Sequence, residues 1–250
     1  YLHCEDENVI GTEFFLMGYV DGEVMWEPHI PQASNEERQK IYHSMNHTIA
    51  MLHSVDYETI GLDSFGKPGN YVARQVSRWT KQYLASETET IPEMDNLIEW
   101  LADNIPDDDE TSIVHGDYRL DNMIYKNHEV IGVLDWELST LGHPIADFSY
   151  HCLTWRTLPA MSDLKLIKEL GIPSEVEYRD MYSEYTGKDL SKNWEFYMAF
   201  NMFKIAGILQ GILGRVRDGT AASRHAEERG NMVFPLSEAA WSTIEENFLK

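Results

Sequence analysis

HGDYRLDN, residues 115–122, lies near the middle of this 250-residue sequence and is followed by VLDWE at residues 133–137. Asp117 and Asn122 are five residues apart, so a loop can turn both side chains toward one cavity. Asp135 ends an apolar run that predicts a strand passing beside this loop. Two carboxylates and one amide at one place form an oxygen-rich site, which suits Mg²⁺ better than zinc.

The spacing of these residues has a chemical meaning. Phosphoryl transfer from ATP requires a carboxylate that accepts the proton of the attacking hydroxyl, and oxygen ligands that hold Mg²⁺ against the phosphates. The pattern HxDxxxxN, followed by an apolar strand ending in Asp, is that of the kinase catalytic loop and its metal-binding Asp. The HGD opening and the LDWE ending resemble the aminoglycoside phosphotransferase and choline kinase branch more than protein kinases.

A longer stretch narrows this resemblance. HGDYRLDN together with VIGVLDWELSTLGHPIADFSYHC, residues 130–152, resembles the phosphotransferase domains related to those fused to acyl-CoA dehydrogenases. The similarity extends from about residue 8 to the C-terminus. It implies that the acceptor is a hydroxyl group of a small molecule, and the dehydrogenase-associated relatives suggest a hydroxylated acyl or acyl-CoA compound.

The resemblance also implies a role for each residue of the motif. Asp117 is expected to be the catalytic base, and Asn122 and Asp135 are expected to bind Mg²⁺. Arg119 stands where protein kinases carry a catalytic-loop Lys, so we expect it to neutralise the transferring phosphoryl group.

Four further residues near the motif have expected supporting roles. His115 is expected to brace the loop, and Asp147 matches a family carboxylate that supports the loop from below. Glu137 is expected to assist a second metal ion, and Trp136 is expected to be a core residue.

A second segment, FLMGYV at residues 15–20, resembles the hinge between the two lobes of a kinase. There the Gly18 carbonyl and the Val20 amide would meet the adenine edge of ATP. Backbone contacts need no particular side chain, so this segment is a weaker signal than the central motif.

A complete kinase needs more than this sequence contains before the hinge. A phosphate-covering loop, a strand Lys and a helix Glu should precede it, yet the first Lys of the chain is Lys40. We therefore expect most of the N-terminal lobe to lie outside this sequence. Residues 1–20 are predicted to be the remnant of that lobe with the hinge, and residues 21–250 a C-terminal lobe with the catalytic loop and a helical acceptor-binding part.

Outside the motif the apolar periodicity is mostly helical. Ser34 and Glu37 have the capping-box spacing at the start of one helix. Helices are predicted over residues 35–54, 71–85, 94–104, 145–156, 174–186, 193–217 and 236–249. Strand-forming residues predict a strand pair, or a strand and a connector, over 8–20, and short strands over 111–114, 122–125 and 130–134. The fold class is therefore α/β (α+β), of the protein-kinase-like type that the motif implies.

Charge and composition restrict the partners. The chain has 42 acidic and 20 basic residues, for a net charge of -22 at pH 7. We therefore expect neither nucleic acid nor an anionic membrane surface as a partner. The apolar stretch at 196–214 is interrupted by Asn201, Lys204 and Gln210, which favours a buried core helix over a membrane span. The two cysteines are far apart, which suggests no disulfide framework and fits a cytoplasmic location.

Two other functions stay open from the sequence. A metal-dependent hydrolase using His115, Asp117 and Asp135 would need further His ligands, and the remaining histidines offer no convincing set. A catalytically inactive, partner-binding domain would keep the fold and lack transfer.

One helix face also has two interpretations. Arg74, Arg78, Trp79 and Tyr83 recur at helical spacing. They either line an acceptor pocket or form an aromatic face packed on the core.

Overall fold

The first helix forms where the capping signal predicts it. In this computed structural model, which describes residues 2–250, α1 spans Asn35–His53. The Ser34 hydroxyl accepts a hydrogen bond from the Glu37 amide, and the Glu37 carboxylate accepts one from the Ser34 amide. One face of α1, with Ile49 at its centre, is buried.

The other predicted helices are present, with short additions between them. In chain order they are α2 (Tyr71–Ser86), α3 (Pro92–Asp103), α4 (Pro144–Cys152), α5 (Thr154–Thr157), α6 (Pro159–Ser162), α7 (Leu164–Glu169), α8 (Glu175–Thr186), α9 (Trp194–Arg217), α10 (Ala226–Gly230) and α11 (Val233–Phe248). The helix predicted over 145–156 is divided into α4 and α5. The helices α6, α7 and α10 were not predicted, because helices of four to six residues are too short to show apolar periodicity.

The strands are short and pair in twos. They are β1 (Leu2–Cys4), β2 (Phe14–Leu16), β3 (Ser112–Val114), β4 (Met123–Lys126), β5 (Glu129–Val133) and β6 (Thr140–Gly142). Antiparallel pairs form between β1 and β2, between β3 and β6, and between β4 and β5. The three central strands predicted from the sequence are confirmed, but β6, the partner of β3, was missed. The loop at residues 115–122 therefore connects β3, in one two-stranded sheet, to β4, in another.

Of the two alternatives predicted for residues 8–20, the strand with a connector is confirmed and the strand pair is wrong. Only β2 lies in that range, and its partner β1 precedes it. The segment between them forms turns, because Asp6 accepts a hydrogen bond from the Asn8 amide and Gly11 has a φ of +92°. These turn-forming residues outweigh the strand preference of the apolar residues between them.

The long helix α9 lies inside the fold, as predicted. It is long and apolar enough to cross a membrane by composition, but 72% of its most apolar window is buried by the rest of the chain. Its polar residues are bonded to neighbours. Asn201 donates to the Ala146 carbonyl and the Ser149 hydroxyl at 2.9 Å, and Gln210 donates to the Ser86 carbonyl at 2.8 Å. The NH₂ groups of both amides thus have partners that offset their desolvation, whereas the buried Gln210 Oε1 atom has none among the described residues.

Glycines bring α9 close to α2. A Cβ placed on Gly207 would lie 3.6 Å from the Trp79 carbonyl oxygen. A Cβ placed on Gly214 would lie 3.0 Å from the Ser86 Cβ and 3.2 Å from its carbonyl oxygen. The two helix backbones are therefore in near contact at this point, and residues of both helices line the cavity described below.

We predict that Gly214→Val destabilises the protein by about 1–3 kcal/mol, because the added methyl groups push α9 away from α2. Gly211→Val is the matched control, since a Cβ there would meet only the ends of two flexible side chains, Gln82 at 3.5 Å and Arg215 at 3.9 Å. The free energy of unfolding from urea titration measures both. Equal losses in the two variants would contradict the close contact at Gly214.

Candidate active site

The loop at residues 115–122 starts with a backbone conformation that only glycine adopts easily. Gly116 has a φ of +84°, and a Cβ at this position would lie 2.7 Å from the Leu138 carbonyl oxygen. The chain therefore turns sharply after β3, and the loop ends in a 3₁₀ turn at Leu120–Asn122. This turn carries the residues that follow Gly116 toward the β4–β5 hairpin.

A buried carboxylate holds the start of the loop. Asp147, on α4, accepts hydrogen bonds from the backbone amides of His115 and Gly116, each at 2.8 Å. Its Oδ2 atom also lies 3.2 Å from His53 Nε2 on α1. Burial raises the pKa of the Asp147 carboxyl, but His53 and the two amides together outweigh burial and hold this pKa below its ordinary value. Asp147 therefore provides the support from below that the sequence predicts.

His115 links the loop to the strand that precedes Asp135. The His115 Nδ1 atom accepts a hydrogen bond from the Asp117 amide at 3.2 Å, so the proton is on Nε2. Nε2 donates to the Leu134 carbonyl at 2.8 Å. The imidazole ring is fully buried and lies 5.1 Å from the ring of Trp136. His115 thus braces the loop, as expected from the sequence.

Asp117 is held by three side chains from two elements. Its Oδ2 accepts a hydrogen bond from Asn122 Nδ2 at 3.1 Å, and its Oδ1 accepts one from the Tyr150 hydroxyl at 2.6 Å. Arg119 Nε lies 3.7 Å from the same Oδ1. Burial, followed by the charge of Asp117, raises the pKa of the Tyr150 hydroxyl well above its ordinary value, so this hydroxyl stays a donor. The Asp117 carboxylate thus has a fixed orientation at the cavity surface.

Asn122 and Asp135 approach each other across the β4–β5 hairpin. The Leu134 amide donates a hydrogen bond to the Asn122 carbonyl at 2.8 Å. Asp135 directly follows Leu134 and therefore lies next to Asn122. Asp135 has a φ of +62°, an uncommon conformation for a residue with a side chain and one that occurs often at functional sites. Its carboxylate is exposed.

The donor set at this position is compatible with Mg²⁺. The Asn122 Nδ2 atom is engaged by the carbonyl and the carboxylate of Asp117, so the Asn122 Oδ1 atom is left to act as a ligand. Among residues 2–250 the Asp135 carboxylate takes part in no hydrogen bond or ion pair that would compete with a metal. A carboxylate and an amide oxygen are ligands that Mg²⁺ prefers.

A ligand set for a zinc-type hydrolase is not formed. Within the described part of the chain, residues 2–250, no three His, Cys, Asp or Glu side chains converge closely enough to hold a metal ion. His115, which that hypothesis would use, has both ring nitrogens engaged within the protein.

Arg119 lies beside Asp117, and the predicted hinge segment lies along the β4–β5 hairpin. Arg119 is half exposed and pairs with Asp121 as well as lying near Asp117. Val20 packs beside Gly132 in β5, so the segment that contains Gly18 runs along the β4–β5 hairpin. The role of Gly18 and Val20 in binding adenine stays a prediction.

A cavity of about 660 Å³ opens beside Asp117. Its walls come from α2, α9 and the loop, and its lining includes Asp117, Arg119, Glu137, Tyr150 and Lys204 with Arg74, Arg78 and Trp79 of α2. Arg74 and Arg78 therefore line the cavity, and Trp79 combines the two interpretations, since it lines the cavity and is also buried in the core. Tyr83 is instead buried in the core.

Three residues at the site, Trp136, Tyr150 and Lys204, have positions or contacts that were not predicted from the sequence. Trp136 was expected in the core, but 43% of its surface is exposed because it covers the outer side of the His115 ring. Tyr150 was missed, since a tyrosine after a helix start carries no signal of its own. Lys204 was noted only as an interruption of an apolar helix, and that interruption was the available signal. Its Nζ donates to the Gly116 carbonyl at 3.3 Å and lies 4.5 Å from the centre of the Tyr150 ring.

Comparison with known proteins gives a consistent set of relatives. The family model for the phosphotransferase enzyme family matches residues 1–183. Acyl-CoA dehydrogenase family member 10 of Mus musculus is 44% identical over 245 residues, which cover 95% of this chain. The match includes only 23% of the mouse protein, so the chain spans about a quarter of that relative.

Solved structures agree with these relatives. A crystal structure from Ralstonia eutropha JMP134, provisionally named an aminoglycoside phosphotransferase, is 51% identical with a TM-score of 0.94. The alignment covers 98% of this chain and 77% of that one. An ADP-bound aminoglycoside phosphotransferase has a TM-score of 0.51 at 18% identity, over 90% of this chain and 71% of that one. This second likeness concerns the fold alone.

We predict that Asp147→Asn destabilises the protein by about 2–4 kcal/mol at neutral pH, because an amide cannot satisfy both loop amides and His53. The folded-state pKa of Asp147 is lowered, so its contribution is present above the ordinary value of 3.8 and is lost as the pH falls through the lower, folded-state pKa. Urea titrations of both proteins at several pH values measure this difference. A difference that stays constant down to the most acidic pH at which the wild type folds would contradict the assignment.

Proposed function

The chain belongs to the phosphotransferase enzyme family, and we propose that it transfers the γ-phosphate of ATP to a hydroxyl group of a small molecule. One observation carries this proposal. The Asp117 carboxylate, oriented by Asn122 and Tyr150, faces a cavity large enough for a small acceptor. A base in a fixed orientation at the wall of such a cavity is what hydroxyl activation requires.

The proposed reaction uses Asp117 as the general base. The acceptor hydroxyl donates a hydrogen bond to Asp117, and the carboxylate takes the proton as the hydroxyl oxygen bonds to the γ-phosphorus. The bond from this phosphorus to the β–γ bridging oxygen breaks, and ADP leaves with the electron pair. Asn122 and Tyr150 keep the two carboxylate oxygens in place during this step.

Asn122 and Asp135 would hold Mg²⁺ in this proposal. The bound ion supplies charge neutralisation of the nucleotide phosphates. Arg119 is half exposed at the same edge of the cavity, and its guanidinium would neutralise charge on the transferring phosphoryl group. Glu137, which lines the cavity, remains a candidate for assisting a second ion.

The nucleotide would be held partly by the N-terminal segment. We propose that the backbone around Gly18 and Val20 meets the adenine, and that residues 1–20 are a remnant of the N-terminal lobe with the hinge. A phosphate-covering loop and a strand Lys in that lobe would complete the nucleotide site. We also propose that the enzyme works in the cytoplasm.

The relatives suggest the type of acceptor. The mouse relative is named an acyl-CoA dehydrogenase family member, and the part that matches this chain is a quarter of its length. A kinase domain joined to a dehydrogenase of acyl-CoA compounds would act on a related metabolite. We therefore propose a hydroxylated acyl or acyl-CoA compound as the acceptor.

We predict that Asp117→Asn in the full-length protein lowers the transfer rate by about 10³-fold, because the amide cannot accept the hydroxyl proton. The assay measures transfer of labelled phosphate from ATP to a panel of hydroxylated metabolites. Asp180→Asn is the matched control, since Asp180 is exposed and lies on α8, away from the loop. The Asp117→Asn variant should unfold at the same temperature as the wild type, so that a loss of transfer is not a loss of folding.

Two outcomes would contradict this proposal. Transfer by Asp117→Asn at the wild-type rate would remove Asp117 from the base role. If the wild-type protein binds nucleotide but transfers phosphate to no acceptor, the chain is an inactive, partner-binding member of the family.

A further inference from the structure

The cavity beside Asp117 has a charge opposite to that of the whole chain. The protein carries 42 acidic and 20 basic residues, yet the cavity lining contains more cations than anions. The acidic side chains of the lining are Asp117 and Glu137. The basic ones are Lys67, Arg74, Arg78, Arg119 and Lys204.

Most of these cations have no carboxylate partner. Among the five, only Arg119 has an Asp or Glu oxygen within 4.0 Å in the part of the chain that the structure describes. Arg74 is bonded to the backbone carbonyls of Lys67 and Gly69, which fixes its side chain without neutralising it. Arg78 lies over the Trp79 ring, 5.3 Å from its centre. Cations without carboxylate partners in an acidic protein indicate a site that binds an anionic ligand.

The basic surface continues out of the cavity along α2. Arg74, Arg78 and Lys81 are spaced by four and three residues, so they lie on one face of the helix. Arg74 and Arg78 line both the cavity and an adjoining surface depression that ends at Lys81. The 16-residue helix contains no Asp or Glu. These three residues, the α2 basic face, form a path from Asp117 to the solvent.

Lys204 is the innermost cation. It lies against Tyr150 and Gly116, next to the base. Burial, and to a smaller extent the charge of Arg78, lowers the pKa of Lys204, whereas Asp147 and Asp117 act in the opposite direction. The positive charges of Lys204 and Arg78 are thus close enough to repel each other, and an anion bound between them would relieve this repulsion.

We propose that the acceptor is an anionic alcohol whose hydroxyl meets Asp117 while its phosphate or carboxylate group rests on the α2 basic face. This inference rests on the proposed function and specifies its acceptor. A neutral acceptor would leave these cations without partners, and a cationic one would be repelled by them. The anionic group could be a phosphate of a coenzyme A thioester or the carboxylate of a free hydroxy acid.

The test measures direct binding, so it needs no transfer reaction. Calorimetric titrations use two matched pairs of probes, each with an anionic and a neutral member: coenzyme A with pantetheine, and a hydroxyhexanoate with hexanediol. Choline serves as the cationic probe. We expect at least one anionic probe to bind about 10-fold tighter than its neutral counterpart, and this difference to shrink at high salt.

Variants locate the binding site. We expect Arg78→Gln and Lys81→Gln each to weaken binding of the anionic probe by about 5–10-fold, because each removes a cation from the α2 basic face. Arg229→Gln is the matched control, since Arg229 is exposed on α10 and away from the cavity. Binding of the neutral probes should not change in any of the three variants.

The outcomes distinguish a phosphate from a carboxylate as the bound anion. They also distinguish the inference about the acceptor from the proposed base role of Asp117. Selective binding of coenzyme A supports the inference with a phosphate as the anion, and selective binding of the hydroxyhexanoate supports it with a carboxylate. The inference is overturned if neutral probes bind as tightly, if choline binds best, or if Arg229→Gln weakens binding as much as Arg78→Gln. The base role of Asp117 is tested separately, because phosphate transfer by Asp117→Asn is measured without reference to these probes.

Discussion

The hydrogen bonds that the Asp147 carboxylate accepts from the His115 and Gly116 amides are the constraint on which the site depends. Burying a carboxylate costs several kcal/mol unless its oxygens are satisfied, and here two amides and His53 satisfy them. Because α1 supplies His53 and α4 supplies Asp147, the loop is tied to two helices of the core. The orientation of Asp117 is a consequence, since its own amide is bonded to the His115 ring.

The second constraint is the near contact of α2 and α9. Gly207 and Gly214 let the two helices approach closely, and residues of both helices line the cavity. Lys204, near Gly207 on α9, and Arg78, next to Trp79 on α2, therefore enter the cavity from two walls. In the proposed reaction the loop would provide the proton acceptor, and the two helices would provide the surface that meets the acceptor molecule. Chemistry and selectivity would then reside in different elements.

The fold and the family could be predicted from the sequence because both leave local signals. The kinase-like α+β class and the resemblance carried by HGDYRLDN are confirmed. Long helices have apolar periodicity, and α1 also has a capping box. Features that depend on distant residues could not be predicted. β6 is three residues long and forms only because β3 lies beside it. The contact of Tyr150 with Asp117 joins residues 33 positions apart, and nothing near Tyr150 in the sequence indicates it.

The charge distribution requires that the proposed preference for an anionic acceptor be local. A net charge of -22 repels an anionic molecule at long range, so the protein as a whole does not attract such an acceptor. At physiological ionic strength charges are screened beyond about 8 Å, and inside that distance the α2 basic face and Lys204 dominate. An anion that reaches the cavity thus meets cations already fixed in place, such as Arg74 with its two backbone carbonyls. Fixing the Arg74 side chain in advance lowers the ordering entropy lost on binding, so the proposed selectivity would arise from preorganisation rather than from attraction at a distance.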